Sequence, residues 1–490
     1  MCAPRLLFSD SDHRYIEVQT RFGRLRGLQS GGCRIFRGIP FARPPVAKLR
    51  FRPPLPALPW AGVRSALTCA NAAMQPWRRQ AESEDCLYLN VTAPAGNGPF
   101  PVLVWIHGGG FVTGSACDPA ESGMHFARDG VVCVKVAYRL GVFGFLDVSP
   151  MLGHPYAGSA NNAMRDVIAS LEWVHQNISA FGGDPDRVTV GGQSAGAKIS
   201  DLLMGVPSAA SLFHQVISES GGADRIWTRS RSKAISREFG RVWKSPSNRS
   251  PRSILTAPAP ELIDAEVSFY RHPPAHFPLR CEVDGDLFPR FPLEEIRNGS
   301  TRGKRLLIGT NLDESAFFIG PHPSHDPDDS ELGNLDVRQF GPVAARYKQL
   351  YPNASADFRR IRSVTAEEYW VPSLRVADAH VTAGGTAYVY RFADAVTQGR
   401  FEGLVPHAHE LPFVWDDAAR LVPRDRGLAQ SIHQLWVEFI QGRPMPVAGD
   451  AQWPAYNLRQ RPTVILKPSP LIADNPANAE YRLWDGLMMR

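Results

Sequence analysis

Residues 187–190 (Arg-Val-Thr-Val) lead through Gly191 into Gly192-Gln193-Ser194-Ala195-Gly196, and this stretch decides how the chain is read. An apolar strand runs into a G-x-S-x-G turn, and Ala195–Met204 (AGAKISDLLM) reads as a helix that begins at once. So tight a turn tolerates only small residues at its two flanks, Gly192 and Gly196. The turn lifts the Ser194 hydroxyl out at the carboxyl edge of a sheet. It also aims the Ala195 N–H at an oxygen that would become negative during attack. Glycine and serine are common, so the pentapeptide alone says little. Set between strand and helix, it points to a serine nucleophile.

Elsewhere, strand-like apolar runs alternate with amphipathic helical stretches, the signature of a mostly parallel sheet covered on both faces. Residues 102–106, 131–136, 187–190, 306–308 and 388–392 read as strands. Met164, Ile168, Leu171, Val174 and Ile178 form one helix face, stopped by Gly182-Gly183-Asp184-Pro185. Leu428, Ile432, Leu435 and Phe439 repeat the pattern before Gly442 and Pro444. Segments 223–300 and 316–385 are richer in Pro, Ser and charge. Such excursions from a sheet sit above the carboxyl ends of its strands and wall a pocket. With no internal repeat, residues 1–490 are read as one catalytic domain carrying these two insertions.

The 490 residues are 43% hydrophobic and 21% charged, ample for a large core and unlike a disordered chain. Net charge is +6, the basic excess is almost all arginine, and no basic stripe carries interleaved aromatics. Nucleic acid is therefore not expected as a partner. The densest basic run, Arg241, Lys244, Arg249 and Arg252, reads as a solvated loop. The opening MCAPRLLFSDSDHRY lacks the apolar core of a secretory signal, and no window reaches the roughly 18 apolar residues of a membrane span. The expectation is a soluble, cytoplasmic protein without a membrane partner. Seven cysteines are too few and too odd a set for a disulfide scaffold. Cys69 and Cys86 could close a short surface loop, although a reducing cytosol opposes it.

After residues 102–106 comes His107-Gly108-Gly109-Gly110-Phe111. Three successive glycines let backbone N–H groups turn inward onto a ligand. Such a loop donates to the oxyanion of a tetrahedral intermediate, where one lost donor costs about 10²–10³ in turnover. A phosphate loop would want a Lys-Ser/Thr pair, which Phe111-Val112-Thr113 does not supply.

A serine hydroxyl needs a histidine to take its proton, and the histidine needs a carboxylate. With an elbow of this kind the chain order is serine, acid, histidine. Of fourteen histidines, His13, His107, His125, His154 and His175 precede Ser194. His407 and His409 lie in Pro406-His407-Ala408-His409-Glu410-Leu411-Pro412-Phe413, about two hundred residues downstream, and spacing leaves both open. Asn311-Leu312-Asp313-Glu314 follows the strand near 306–310 and offers the acid. Asp313 could instead cap a helix beginning near Ser315.

Together these residues resemble the type-B carboxylesterases, the cholinesterase-like branch of the α/β-hydrolases, over about residues 17–460. Phe36-Arg37-Gly38-Ile39-Pro40-Phe41-Ala42, Glu84-Asp85-Cys86-Leu87-Tyr88-Leu89-Asn90-Val91, Phe181-Gly182-Gly183-Asp184-Pro185, Ser218-Glu219-Ser220-Gly221 and Trp453-Pro454-Ala455-Tyr456 carry it beside the motifs above. In length the chain is nearest the bacterial para-nitrobenzyl esterase-like branch. The resemblance implies an α/β-hydrolase fold, a mostly parallel central sheet with helices on both faces and insertions over the active site. It implies a serine carboxylic-ester hydrolase acting on a small-molecule ester, with no metal or organic cofactor. Ser194, Glu314 and His407 align with the catalytic triad. Gly109, Gly110 and Ala195 align with the oxyanion donors, and Ser220 with a serine supporting the histidine–acid pair.

The chain departs from the family at several positions. Gln193 stands where an elbow glutamate is usual, and is expected to touch neither the Ser194 hydroxyl nor the oxyanion. Ala408 and Ser315 replace frequent glycines, and Ala160-Asn161-Asn162-Ala163-Met164 departs from a glycine-containing run. The loop from Cys69 to Cys86 is shorter than in cholinesterases, and Trp77 is followed by Arg78 and Arg79, which would repel a quaternary ammonium. Neutral or acidic esters are thus expected over choline esters. Two other readings stand beside ester hydrolysis: cleavage of carbamates or amides by the same triad, and a non-catalytic adhesion module. All three triad positions are filled, which weighs against the second.

Overall fold

The computed structural model describes residues 14–77, 81–244, 249–323, 335, 337–448 and 451–487. A thirteen-stranded sheet runs through them. Its strands are β1 (Arg14–Thr20), β2 (Gly23–Ser30), β3 (Cys33–Pro40), β4 (Val63–Ser65), β5 (Tyr88–Pro94), β6 (Phe100–Ile106), β7 (Val132–Val136), β8 (Gly183–Gln193), β9 (Gln215–Glu219), β10 (Arg305–Asn311), β11 (Thr386–Phe392), β12 (Pro462–Leu466) and β13 (Leu471–Asp474). The order is β1-β2-β3-β5-β7-β6-β8-β9-β10-β11-β12-β13, with β4 beside β2. From β7 to β12 every neighbour pair is parallel. The pairs from β1 to β7 along that path, and β12 with β13, are antiparallel.

The parallel strands are apolar on both faces because both faces are covered. Along β6, Val102, Val104 and Ile106 pack in one core with Leu171 and Val174 of α1 (Asn162–Asn177) and Ile199 of α2 (Ala195–Met204). Leu103 and Trp105, on the other face, pack with Trp436 and Phe439 of α6 (Arg426–Gln441). Among the other helices are α3 (Arg229–Lys244), α4 (Ala259–Phe269) and α5 (Val371–Thr382). This is the α/β-hydrolase architecture.

Two sequence expectations are corrected. Cys69 pairs with Cys117, not Cys86, at a Cα–Cα distance of 6.1 Å. Cys86 is buried in the core, out of reach of a surface loop, and burial pushes its thiol up. The basic run is not a loop throughout. Arg241 and Lys244 end α3, where cations favour the negative end of the helix dipole. Arg249 instead pairs with Glu261 at 2.6 Å and stacks over Trp243. No helix among the described residues is long and apolar enough to cross a membrane.

Candidate active site

Three strand ends meet at one edge of the sheet. β8 ends at Gln193 and hands over to Ser194, whose φ of 57° is a strained value for a residue with a side chain. The strain is held by close packing. A β-carbon on Gly192 would lie 2.6 Å from the Ile106 carbonyl oxygen, and one on Gly196 would fall on that same oxygen. The Ser194 N–H is tied to the Glu219 carbonyl at 2.8 Å. A larger residue at either glycine would push helix α2 away from β6 and lower the serine.

Glu314 follows β10 and is fully buried. Its Oε1 accepts from the Ser220 hydroxyl at 2.5 Å and from the Asn311 N–H at 2.7 Å. Its Oε2 meets Nδ1 of His407 at 2.5 Å. With the carboxylate accepting there, Nδ1 carries the ring proton and Nε2 keeps its lone pair. His409 is turned away, packed against Phe392 and Phe413, and burial lowers its pKa. The two histidines that spacing left open are thus separated by the fold. So are the two acids: Asp313 caps no helix and accepts from the Val405 N–H at 3.1 Å, holding the histidine loop against its own strand end.

Gln193 does more than its position suggested. Its amide nitrogen lies 3.3 Å from Nε2 of His407, so this side chain faces the imidazole. Ser194 Oγ makes no hydrogen bond among the described residues. Glu410 is a second participant that the motif alone did not reveal. It is buried beside Glu314 and receives a hydrogen bond from the Asn311 amide. Burial, then the charge of Glu314, pushes its carboxyl up.

Opposite the serine, Gly109 and Gly110 have φ of 114° and 61°, and a β-carbon on Gly109 would clash with Thr113. No backbone carbonyl among the described residues takes the N–H of Gly109, Gly110 or Ala195. These groups, Ser194 and His407 line one cavity of about 810 Å³. Arg225, Tyr270 and Phe277 from segment 223–300, and Phe317, Phe318 and Tyr369 from segment 316–385, supply much of the rest of its wall. Trp77 lines it and is 70% exposed. Arg78 and Arg79 lie outside the described residues.

Residues 14–484 match the sequence profile of the carboxylesterase family. The chain is 33% identical to the para-nitrobenzyl esterase of Bacillus subtilis (strain 168), covering 95% of this chain and 97% of that one. It is also 33% identical to the fumonisin B1 esterase of Sphingopyxis macrogoltabida, covering 92% of this chain and 86% of the relative. Among solved structures, the carboxylesterase of Geobacillus stearothermophilus at pH 6.2 is similar with a TM-score of 0.85 and 34% identity, covering 96% of this chain and 99% of that one. The buried parallel sheet, the strained serine elbow and these matches lead to one conclusion: the chain belongs to the carboxylesterase family, in its bacterial para-nitrobenzyl esterase-like branch, and is a carboxylesterase.

Proposed function

We propose that ester hydrolysis by this chain runs through an acyl-enzyme on Ser194, with His407 as base and Glu314 as acid. The hydrogen-bonded series Ser220–Glu314–His407, ending on an imidazole that shares a cavity with Ser194, supports this reading above all. His407 Nε2 takes the Ser194 proton as Oγ attacks the ester carbonyl carbon. The N–H groups of Gly109, Gly110 and Ala195 receive the negative oxygen. The imidazolium, steadied by Glu314, then protonates the departing alkoxide as the acyl–oxygen bond breaks. Water repeats the sequence on the acyl-enzyme, which releases the acid and restores Ser194.

On this reading the chain works as one catalytic domain whose two insertions shape the pocket. Lys198, Arg225 and Arg271 line the cavity against Glu266 and Glu368, so cationic side chains outnumber acidic ones by one, which suits neutral or acidic esters better than choline esters. Hydrolysis of p-nitrophenyl butyrate by Ser194→Ala tests the proposal. The expected rate is lower by at least about 10³-fold, and a wild-type rate overturns it.

A further inference from the structure

We propose that a second cavity, walled by Arg229, Lys233 and Arg237 of α3, is a binding site for a small ligand that carries two or more phosphoryl groups. It is independent of the ester chemistry at Ser194.

This cavity has a volume of about 530 Å³, and none of the residues that line it lines the catalytic cavity. The strands Ile226–Thr228 and Cys281–Val283 pair in parallel, with Trp227 opposite Glu282. Arg225, just before the first strand, lines the catalytic cavity. Arg229, just after it, lines the second cavity together with Glu282. α3 continues with Lys233 and Arg237 at successive spacings of four, so the three cations fall on one helix face. Residues 147–158 supply much of the rest of the wall, including Asp147 and His154.

The positive charge here is spare and reachable. Arg229, Lys233, Arg237 and His154 are exposed. Lys233 and Arg237 make no side-chain hydrogen bond or ion pair among the described residues. Arg229 donates from Nη2 to the Asp284 carbonyl. Glu238, the only acid on α3, pairs with Arg241, and neither of these two lines the cavity. Two carboxyls do line it, against three permanent cations. Both oxygens of Asp147 accept from Ser149. Glu282 is buried, takes a hydrogen bond from Ser232 and has no partner for Oε2. Burial, then the charge of Asp147, pushes its carboxyl up to about 7. In its neutral form that carboxyl is a donor for an anionic oxygen. Asp284, behind it, is held by Arg165 and by the Asn161 amide.

Like charges four residues apart destabilise a helix, so an anion laid across these turns relieves their repulsion. Neighbouring positions of the stripe stand about 5–6 Å apart at their β-carbons, and the three together cover about 12 Å of helix axis. One phosphate bridges one pair of cations, and a second phosphoryl group, joined to the first, reaches the third. A phosphoryl group offers three acceptor oxygens and a carboxylate two, which favours phosphate where cations arrive from separate turns. Among the described residues no Phe, Tyr or Trp lines this cavity, so a nucleobase finds no ring to stack on. Recognition falls on the phosphoryl groups themselves.

The test is isothermal titration of the full chain with inorganic pyrophosphate, free of magnesium, at pH 7 and low ionic strength. One saturable site is expected, with a Kd at or below about 100 µM. Orthophosphate and citrate are each expected to bind at least about tenfold more weakly. The double substitution Lys233→Gln with Arg237→Gln should weaken pyrophosphate by at least about tenfold. Arg241→Gln removes a charge from the same helix outside the cavity and should change the Kd by less than about twofold. Both variants are at exposed positions, and unchanged turnover of p-nitrophenyl butyrate checks that they are folded. If the double variant does not fold, the ranking of the three anions on the wild-type protein decides. Absence of saturable binding overturns the site. So does orthophosphate or citrate binding as tightly as pyrophosphate. Equal losses in the two variants would show a general field of α3 in place of a site, and would overturn it too.

Discussion

The amide nitrogen of Gln193 lies 3.3 Å from Nε2 of His407, the ring nitrogen that must receive the proton of Ser194. The amide donates to the imidazole lone pair and competes with the serine for it. Once Nε2 is protonated, the same amide must turn its oxygen toward the ring. Replacing it with a carboxylate stabilises the imidazolium directly. Gln193→Glu is therefore expected to move the acid limb of the kcat/KM–pH profile upward by about one unit. An unmoved limb would mean that residue 193 does not face the imidazole.

Glu314 accepts from two donors besides the imidazole, the Ser220 hydroxyl and the Asn311 N–H. Glu314→Gln preserves shape but loses the charge and admits the wrong tautomer, and kcat should fall by about 10³–10⁴. Ser220→Ala removes one hydrogen bond from a buried carboxylate, worth about 1.5–3 kcal/mol, and should lower kcat by a smaller factor. Steady-state kinetics on one neutral ester ranks the two variants. Equal losses would contradict the assignment of Ser220 as a positioning residue.

Gly196 has no room for a methyl group against the Ile106 carbonyl. Gly196→Ala is expected to destabilise the fold by more than about 3 kcal/mol, because backbone, and not a flexible side chain, must move. Urea unfolding followed by circular dichroism reads this. A midpoint equal to wild type would show that the elbow is looser than described.

Glu266 is buried, and burial alone pushes its carboxyl to about 7, with the Val142 hydrogen bond opposing. A pKa raised by folding gives stability that is fully present below the unfolded value of 4.5 and is lost as pH rises through about 7. Glu266→Gln mimics the protonated acid. It should match wild type near pH 5 and exceed it near pH 9 by about 1–3 kcal/mol. A stability difference independent of pH would contradict the buried, raised carboxyl.

The parallel strands were legible because burial on both faces makes them continuous apolar runs, as in residues 102–106. β9 was missed for the opposite reason. Its Gln215, Ser218 and Glu219 are polar yet buried, each hydrogen-bonded to a residue of another element: Ile440, Asp201 and Trp436. The edge strand β1 alternates weakly because much of it is exposed. Family motifs, not spacing, chose Glu314 over Asp313 and His407 over His409, since loop residues one or two apart can face either way. Cysteine pairing was beyond reach, because Cys69 and Cys117 are 48 residues apart and only the tertiary fold brings them together. Lys198 read as an ordinary helix position, and only the packing shows it lining the cavity.

The central claim is that Ser194 is the nucleophile. The most direct measurement is intact-mass and peptide mapping after treatment with a fluorophosphonate. We expect a single adduct on Ser194, abolished in Ser194→Ala and slowed in His407→Ala. An unmodified Ser194 in folded, active enzyme, or an adduct on another residue that tracks the loss of activity, would contradict the account.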